Sequence, residues 1–181
     1  MQILETNRLV LREFLPADAD ALALVLSDPE TMRFYPAPYD RAGVEEWIAR
    51  NRRRYAANRH GLWAMVLKAS GELVGDCGLT IQKVEDADET EIGYHVRRDH
   101  WGQGLATEAA RACRDFGFDR LPVERLVSII RPENRPSCRV AEKNGMTVWK
   151  EVMRQDLPHL VYSIRRDQLA GRATSSHLSM K

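Results

Sequence analysis

The sequence has little cysteine, and the cysteines that it has form no pattern. Its three cysteines, Cys77, Cys113 and Cys138, are an odd number without C-x-x-C spacing. This argues against a disulfide framework and against a zinc site. We therefore expect buried thiols that pack as small hydrophobic side chains, and no metal.

Long apolar runs and an excess of one charge are also absent from the sequence. No apolar run approaches the ~18 residues that a membrane span needs, and residues 1–5 lack the basic-then-apolar layout of a secretion signal. The formal net charge of +1 does not indicate a nucleic-acid partner. These observations predict a cytoplasmic protein that does not associate with membranes. They leave open whether it is a monomer or a homodimer.

One segment is nevertheless rich in a single basic residue. Its arginines are Arg50, Arg52, Arg53, Arg54 and Arg59. A solvated helix face is the ordinary explanation of such a run. Attraction to an acidic substrate or to ribosomal RNA is the alternative.

The length and composition fit one globular domain of mixed α/β class. The chain has 181 residues, of which 44% are hydrophobic and 29% charged. Strands are predicted at residues 8–14, 62–67, 73–81, 91–96, 125–130, 146–152 and 157–165, and helices at 17–26, 44–57, 105–116 and 137–144. This order indicates a mixed sheet flanked by helices. We expect a single domain over residues 1–167, a polar tail over 168–181 and an acidic surface loop over 83–89.

The stretch from Glu91 to Phe116 combines a strand, a small-residue turn and a helix. Apolar side chains alternate over residues 91–96, and a charged tetrad follows at 97–100. Gly102, Gly104 and Ala106 then lead into a run with apolar residues at spacings of three and four. The first turn of a helix offers unpaired N–H groups and the positive end of the helix dipole. A phosphate site is predicted, although an ordinary tight connection would look similar.

Several separated motifs resemble one known family. Trp101–Ala106, Asn134–Ser137 and Glu142–Met146 together look like the Gcn5-related N-acetyltransferase (GNAT) superfamily, and the resemblance extends from about Thr6 to about Asp167. Residues 5–12 and 91–94 are similar to the branch that acetylates the amino termini of ribosomal proteins. The resemblance implies a mostly antiparallel, seven-stranded twisted sheet, splayed at its centre and flanked by about four helices. It also implies an acetyl-CoA-dependent enzyme that acetylates a primary amine directly, within a ternary complex.

The resemblance assigns the acetyl-CoA site to the central stretch. The family signature is Gln/Arg-x-x-Gly-x-Gly/Ala, and the sequence departs from it by placing Trp101 first. The backbone amides expected to hold the pyrophosphate belong to Gly102, Gln103, Gly104, Leu105, Ala106 and Thr107. Backbone groups of Tyr94, His95 and Val96 are expected to pair with the pantetheine arm, and the Val96 N–H to stabilise the oxyanion. Arg97, Arg98 and Arg135 are candidates for the 3'-phosphate.

The resemblance also suggests the groups that move protons. It implies that Asn134 binds the pantetheine and that Ser137 protonates the departing thiolate, with helix capping as the alternative role of both. Many relatives carry a tyrosine where this sequence has Ala141, which favours Ser137. Glu91 is the first candidate for the general base. His95 and Asp76 are the alternatives.

The acceptor and two rival functions stay open. A protein amino terminus, a free amino acid, a polyamine or an amine-bearing antibiotic would each suit the fold. We expect the acceptor pocket in variable loops such as Phe34–Tyr39, where Tyr35 and Tyr39 are candidate lining residues. The rivals are a non-catalytic coenzyme A sensor and a ribosome-associated factor that contacts RNA through the arginine-rich segment.

Overall fold

The computed structural model describes residues 1–169, and eight of its strands form one mixed sheet. The strands are β1 (Gln2–Glu5), β2 (Leu9–Arg12), β3 (Leu62–Leu67), β4 (Leu73–Val84), β5 (Ala87–Val96), β6 (Arg125–Ile130), β7 (Thr147–Arg154) and β8 (Leu157–Arg165). The α-helices are α1 (Ala19–Leu26), α2 (Arg41–Asn58), α3 (Leu105–Arg120) and α4 (Arg135–Lys143). The strand order is β1-β2-β3-β4-β5-β6-β8-β7. The predicted mixed, mostly antiparallel class is confirmed.

Two details of the sequence-based prediction are wrong. The sheet has eight strands instead of seven, because residues 2–5 form β1 and pair antiparallel with β2. The predicted surface loop at 83–89 is mostly strand: β4 continues to Val84, β5 begins at Ala87, and Glu85 turns the chain at φ 54°. Neither segment shows a clear strand pattern in the sequence, since a cross-strand partner determines whether such residues are extended. Of the predicted tail over 168–181, residues 170–181 lie outside the described residues.

The first of two compact units comprises residues 1–80 and 92–113. Here β2 pairs antiparallel with β3, and β3 with β4. Helices α1 and α2 contribute Leu22, Val25, Val44 and Ile48 to a buried apolar cluster that also contains Leu62 of β3. Helix α2 begins where the Asp40 side chain accepts a hydrogen bond from the backbone of Gly43, and it ends at Arg59, which adopts a left-handed conformation.

The second unit comprises residues 81–91 and the described residues from 114 onward. Strand β8 lies between β6 and β7 and pairs antiparallel with both. Strand β5 pairs parallel with β6 through Thr90 and Glu91. The buried apolar cluster of this second unit contains Val84, Val127 and Val161. Helix α4 is followed by Gly145 at φ 88°, which confirms the predicted helix end.

The three cysteines are free and buried, as predicted. Cys77 and Cys113 lie with their sulfur atoms 3.5 Å apart. Burial raises the pKa of the Cys77 thiol. A neutral buried thiol is a poor nucleophile, so Cys77 is not a candidate for acyl transfer. Within residues 1–169, no helix is both long enough and apolar enough to cross a membrane.

Candidate active site

The loop between β5 and α3 has the geometry of an anion cradle. Gly102 and Gly104 adopt φ values of 75° and 78°, in the left-handed region that favours glycine. A Cβ atom added at Gly102 would meet nothing within 4 Å. The Glu108 N–H donates to the Gly104 carbonyl at 3.0 Å, so the amides of residues 105–107 lie in the first helical turn, ahead of that bond. The backbone can therefore be approached closely by a phosphate group at the positive end of α3.

Contacts from distant residues fix the position of this loop. Trp101 donates its Nε1 hydrogen to the Val96 carbonyl at 2.7 Å. Arg8 donates from Nη1 to the Gln103 carbonyl at 2.8 Å and from Nε to Glu108 at 2.7 Å. A Cβ atom at Gly104 would lie 3.7 Å from Nη2 of Arg8, which places this guanidinium beside the cradle. Sequence reasoning missed Arg8, because no local pattern signals a partner about 100 residues away.

The three arginines proposed to contact a phosphate differ in their ion pairing and in their exposure to solvent. Arg97 forms ion pairs with Asp99 at 2.7 Å and Glu72 at 2.8 Å, and these carboxylates raise its pKa. Arg98 follows β5 and is exposed, while Arg135 is the exposed first residue of α4 in the second unit. Two carboxylates already neutralise Arg97, so an incoming anion would compete with them.

A hydrogen-bonded chain of three side chains lies on the His95 side of β5. The His95 Nδ1 atom is 2.7 Å from Asp76 Oδ1, and its Nε2 atom is 2.6 Å from the Tyr35 hydroxyl. Trp47 donates its Nε1 hydrogen to the other oxygen of Asp76 at 2.9 Å. Asp76 has no exposed surface, His95 is 9% exposed and Tyr35 is 41% exposed. The sequence identified these residues separately, but only the structure shows that they form a chain from the core to the surface.

Aromatic rings surround this chain. Trp47 packs edge-on against Tyr39, with ring centroids 5.3 Å apart, and against His95 at 5.5 Å. Arg50 stacks on the Trp47 ring, with its guanidinium carbon 4.8 Å from the centroid. The loop Phe34–Tyr39, which we expect to line the acceptor pocket, contacts His95 through Tyr35.

Most of the arginine-rich segment lies on helix α2, where several of the arginines contact other side chains of the same helix. Arg53 pairs with Glu46, and Arg54 donates to Asn51 at 3.3 Å. Arg52 and Arg59 are exposed. Together with the stacked Arg50, these contacts resemble an ordinary solvated helix more than a continuous basic surface.

The remaining predicted residues belong to the second unit. Glu91 of β5 accepts a hydrogen bond from the Ile129 backbone at 3.3 Å. Asn134 caps α4, since its Oδ1 atom accepts from the Ser137 backbone at 3.3 Å. The capping role predicted as an alternative is therefore observed for Asn134, and Ser137 lies in the first turn of α4. Capping uses only the oxygen of the Asn134 side chain.

Metal ligands do not cluster in the described part of the chain. Among residues 1–169, no group of three or more His, Cys, Asp or Glu side chains is arranged to hold a metal ion. The structure thus divides the predicted residues between the units. The first holds Tyr94, His95, Val96, Arg97 and the loop 102–107, and the second holds Glu91, Asn134 and Ser137.

Comparison with known proteins identifies one family. The sequence profile described as an acetyltransferase (GNAT) domain matches residues 8–147. The uncharacterized protein YkkB of Bacillus subtilis (strain 168) is 38% identical over 160 residues, which cover 88% of this chain and 93% of YkkB.

Solved structures share the fold. An acetyltransferase from Agrobacterium tumefaciens str. C58 is 31% identical, with a TM-score of 0.80 and coverage of 92% of this chain and 95% of its own. RimL, a ribosomal L7/L12 alpha-N-protein acetyltransferase in complex with coenzyme A, is 18% identical, with a TM-score of 0.75. The match covers 93% of this chain and 99% of the RimL chain.

Proposed function

This chain belongs to the GNAT acetyltransferase family, and we propose that it moves the acetyl group of acetyl-CoA to a primary amine, with a protein amino terminus as the acceptor. The observation that carries the proposal is the cradle formed by Gly102, Gly104 and the first turn of α3. Its left-handed glycines leave the helix amides accessible to a pyrophosphate. Acetyl-CoA supplies the activated acyl group, and the protein supplies binding, orientation and proton transfer.

Each predicted donor-binding group has a distinct task in this proposal. Backbone amides of residues 102–107 hold the pyrophosphate, and backbone groups of Tyr94, His95 and Val96 pair with the pantetheine arm. Because Arg8 binds the Gln103 carbonyl and Glu108, it keeps the cradle in shape and adds positive charge beside it. The fold of RimL, solved with coenzyme A, supports this assignment of the donor.

The proposed reaction is direct attack of the amine on the thioester within a ternary complex. The Val96 N–H stabilises the oxyanion, and Ser137 gives its hydroxyl proton to the thiolate of coenzyme A. The amide hydrogens of Asn134 are left for the pantetheine, since its oxygen caps α4. Glu91 is the base that the sequence favours. Its carboxylate accepts a hydrogen bond from the Ile129 backbone at 3.3 Å.

The acceptor class has support from one resemblance and one feature of the structure. The resemblance to ribosomal-protein acetyltransferases favours a protein amino terminus. The rings of Tyr35, Tyr39 and Trp47 beside the buried Asp76 suit any primary ammonium group, because aromatic faces and a carboxylate both attract cations. A small-molecule amine such as an amino acid, a polyamine or an antibiotic is therefore the second candidate.

Release of free thiol from acetyl-CoA tests the proposal. The full chain is incubated with acetyl-CoA and a panel of peptides with free amino termini, amino acids, polyamines and amine-bearing antibiotics. We expect release that depends on one acceptor class, with peptides the most active. Acetyl-CoA binding without release for every acceptor would instead identify a coenzyme A sensor. RNA binding that falls steeply with salt and with loss of Arg52 and Arg59 would favour the ribosome-associated factor.

A further inference from the structure

We infer that the chain Asp76–His95–Tyr35 is the general base of the reaction, with Tyr35 as the group that meets the acceptor ammonium. This inference rests on the proposed function, because it assigns the step that turns an ammonium group into a nucleophilic amine. The sequence left three candidates for the base, Glu91, His95 and Asp76. The hydrogen bonds select two of them and add a third participant, Tyr35.

Hydrogen-bond chemistry fixes the direction of the chain. Asp76 is completely buried, Trp47 Nε1 donates a hydrogen bond to one of its oxygens, and the other oxygen lies 2.7 Å from His95 Nδ1. A carboxylate can only accept hydrogen bonds, so beside the Asp76 carboxylate the His95 Nδ1 atom is the donor. Since Nδ1 of His95 carries the hydrogen of that bond, Nε2 of the neutral ring is a proton acceptor. It lies 2.6 Å from the Tyr35 hydroxyl, which therefore donates to it.

Exposure along the chain matches a route from the surface to the core. Tyr35 is 41% exposed, His95 is 9% exposed and Asp76 is not exposed. The outer end lies in the loop between α1 and α2, where the sequence predicts the acceptor pocket. The ionisable or charged side chains near the chain include Arg50, which stacks on Trp47, and Tyr55 and Cys77, whose pKa values are raised mainly by burial and further by the Asp76 charge. Trp47 itself contributes an uncharged ring and the hydrogen bond that orients Asp76.

The proton balance of the step is complete. One ammonium proton moves to the Tyr35 oxygen while the Tyr35 proton moves to His95 Nε2, and Asp76 stabilises the imidazolium that results. The neutral amine forms the C–N bond and the thioester C–S bond breaks. As the tetrahedral intermediate collapses, Ser137 gives its hydroxyl proton to the thiolate, and the second nitrogen proton passes through solvent to restore the Ser137 hydroxyl. The imidazolium then returns its proton to solvent through Tyr35.

The first test compares the pH dependence of kcat for the wild type with that of His95→Gln, Glu91→Gln and His60→Gln. His60 is the matched control, because it is a buried histidine of the same unit whose Nδ1 atom lies 2.9 Å from the Leu79 carbonyl oxygen. We expect His95→Gln to lower kcat by ~10²-fold near neutral pH. The deficit should shrink above about pH 8, where the α-amino group of a peptide acceptor loses its proton without help.

Two readouts separate this role from a structural one. Acetyl-CoA affinity of His95→Gln should equal that of the wild type, and its melting temperature should resemble that of His60→Gln. Tyr35→Phe should lower kcat by ~10-fold or more with the same shrinking deficit, because it removes the outer member of the chain. A His95→Gln deficit that is constant with pH would overturn the inference. So would a shrinking deficit in Glu91→Gln alone, or a wild-type profile in Tyr35→Phe.

A second measurement does not depend on activity. Nitrogen-15 chemical shifts of the histidine side chains in the full chain report which ring nitrogen carries hydrogen. We expect the Nδ1–H tautomer for neutral His95, with the Nε2 shift altered by Tyr35→Phe. The opposite tautomer would overturn the inference. If no acceptor is acetylated, the proposed function fails, and the tautomer still decides whether the chain can accept a proton.

Discussion

Glu108 of α3 holds Arg8 through both of its carboxylate oxygens. Its Oε1 atom accepts from the Arg8 backbone at 2.8 Å, and its Oε2 atom accepts from Arg8 Nε at 2.7 Å. Thr6 adds a third hydrogen bond to Oε1 at 2.6 Å. Helix α3 is thereby fastened to the residues before β2 at the turn that follows the cradle. Cradle geometry and N-terminal packing are consequently linked.

This link predicts an acid-sensitive contribution to stability. Burial alone would raise the pKa of Glu108, but the hydrogen bonds from Thr6 and Arg8 outweigh it and lower the pKa below its ordinary value of 4.5. A lowered folded-state pKa gives stability that is present above the unfolded-state value and is lost as pH falls through the folded-state value. We therefore expect Glu108→Gln to lower stability by about 1–2 kcal/mol at pH 7.

Urea unfolding at a series of pH values checks this prediction. The difference between wild type and Glu108→Gln should be full above about pH 4.5 and should diminish below it. Asp119→Asn, at an exposed position of the same helix, is the matched control and should show no such difference. A Glu108→Gln effect that persists unchanged at low pH would contradict the ionic origin of the link.

Substitution of a cradle glycine should weaken acetyl-CoA binding separately from its effect on the stability of the fold. Gly102 and Gly71 have nearly the same φ, 75° and 74°, and neither has an atom within 4 Å of an added Cβ. Gly102→Ala and Gly71→Ala should therefore each cost about 1 kcal/mol of stability through backbone strain. Only Gly102→Ala should weaken acetyl-CoA binding, measured by calorimetry. Equal affinities in the two variants would remove the loop from the donor site.

Substitution of Ser137 by alanine should lower turnover without a comparable loss of acetyl-CoA binding. Ser137→Ala keeps the backbone hydrogen bond to Asn134, so α4 should remain capped. We expect kcat to fall by ~10²-fold, because the thiolate loses its proton donor, while acetyl-CoA affinity stays the same. Steady-state kinetics with Ser163→Ala of β8 as control measure the difference. Unchanged kcat in Ser137→Ala would exclude it as the acid.

Two substitutions of Asn134 should separate its capping of α4 from its proposed binding of acetyl-CoA. Asn134→Ala should lose about 1 kcal/mol of stability, because the cap of α4 is removed. Asn134→Asp keeps an acceptor oxygen for the Ser137 backbone but loses both amide hydrogens. We expect Asn134→Asp to be as stable as the wild type and to bind acetyl-CoA more weakly. Wild-type affinity in Asn134→Asp would leave Asn134 with capping alone.

The local features of the fold could be predicted because their causes lie within a few residues. Strands β3 and β6 occur at the predicted residues, since the apolar run of β3 and the β-branched residues of β6 indicate extended structure. The end of α4 at Gly145 follows from the left-handed conformation that glycine adopts readily. Strand β1 and the strand residues on either side of the turn at Glu85 escaped prediction, because their extended conformation depends on pairing with a neighbouring strand.

The candidate site also contains a part that local sequence predicts and a part that depends on tertiary packing. The sequence by itself determined the cradle, because Gly102, Gly104 and the start of α3 are consecutive and their backbone conformation follows from residue type. Only the tertiary structure decided that Asp76, His95 and Tyr35 form one hydrogen-bonded chain. His95 lies 19 residues from Asp76 and 60 residues from Tyr35 in the chain. Hydrogen bonds over such separations depend on how strands and loops pack, and no local pattern of residues specifies them.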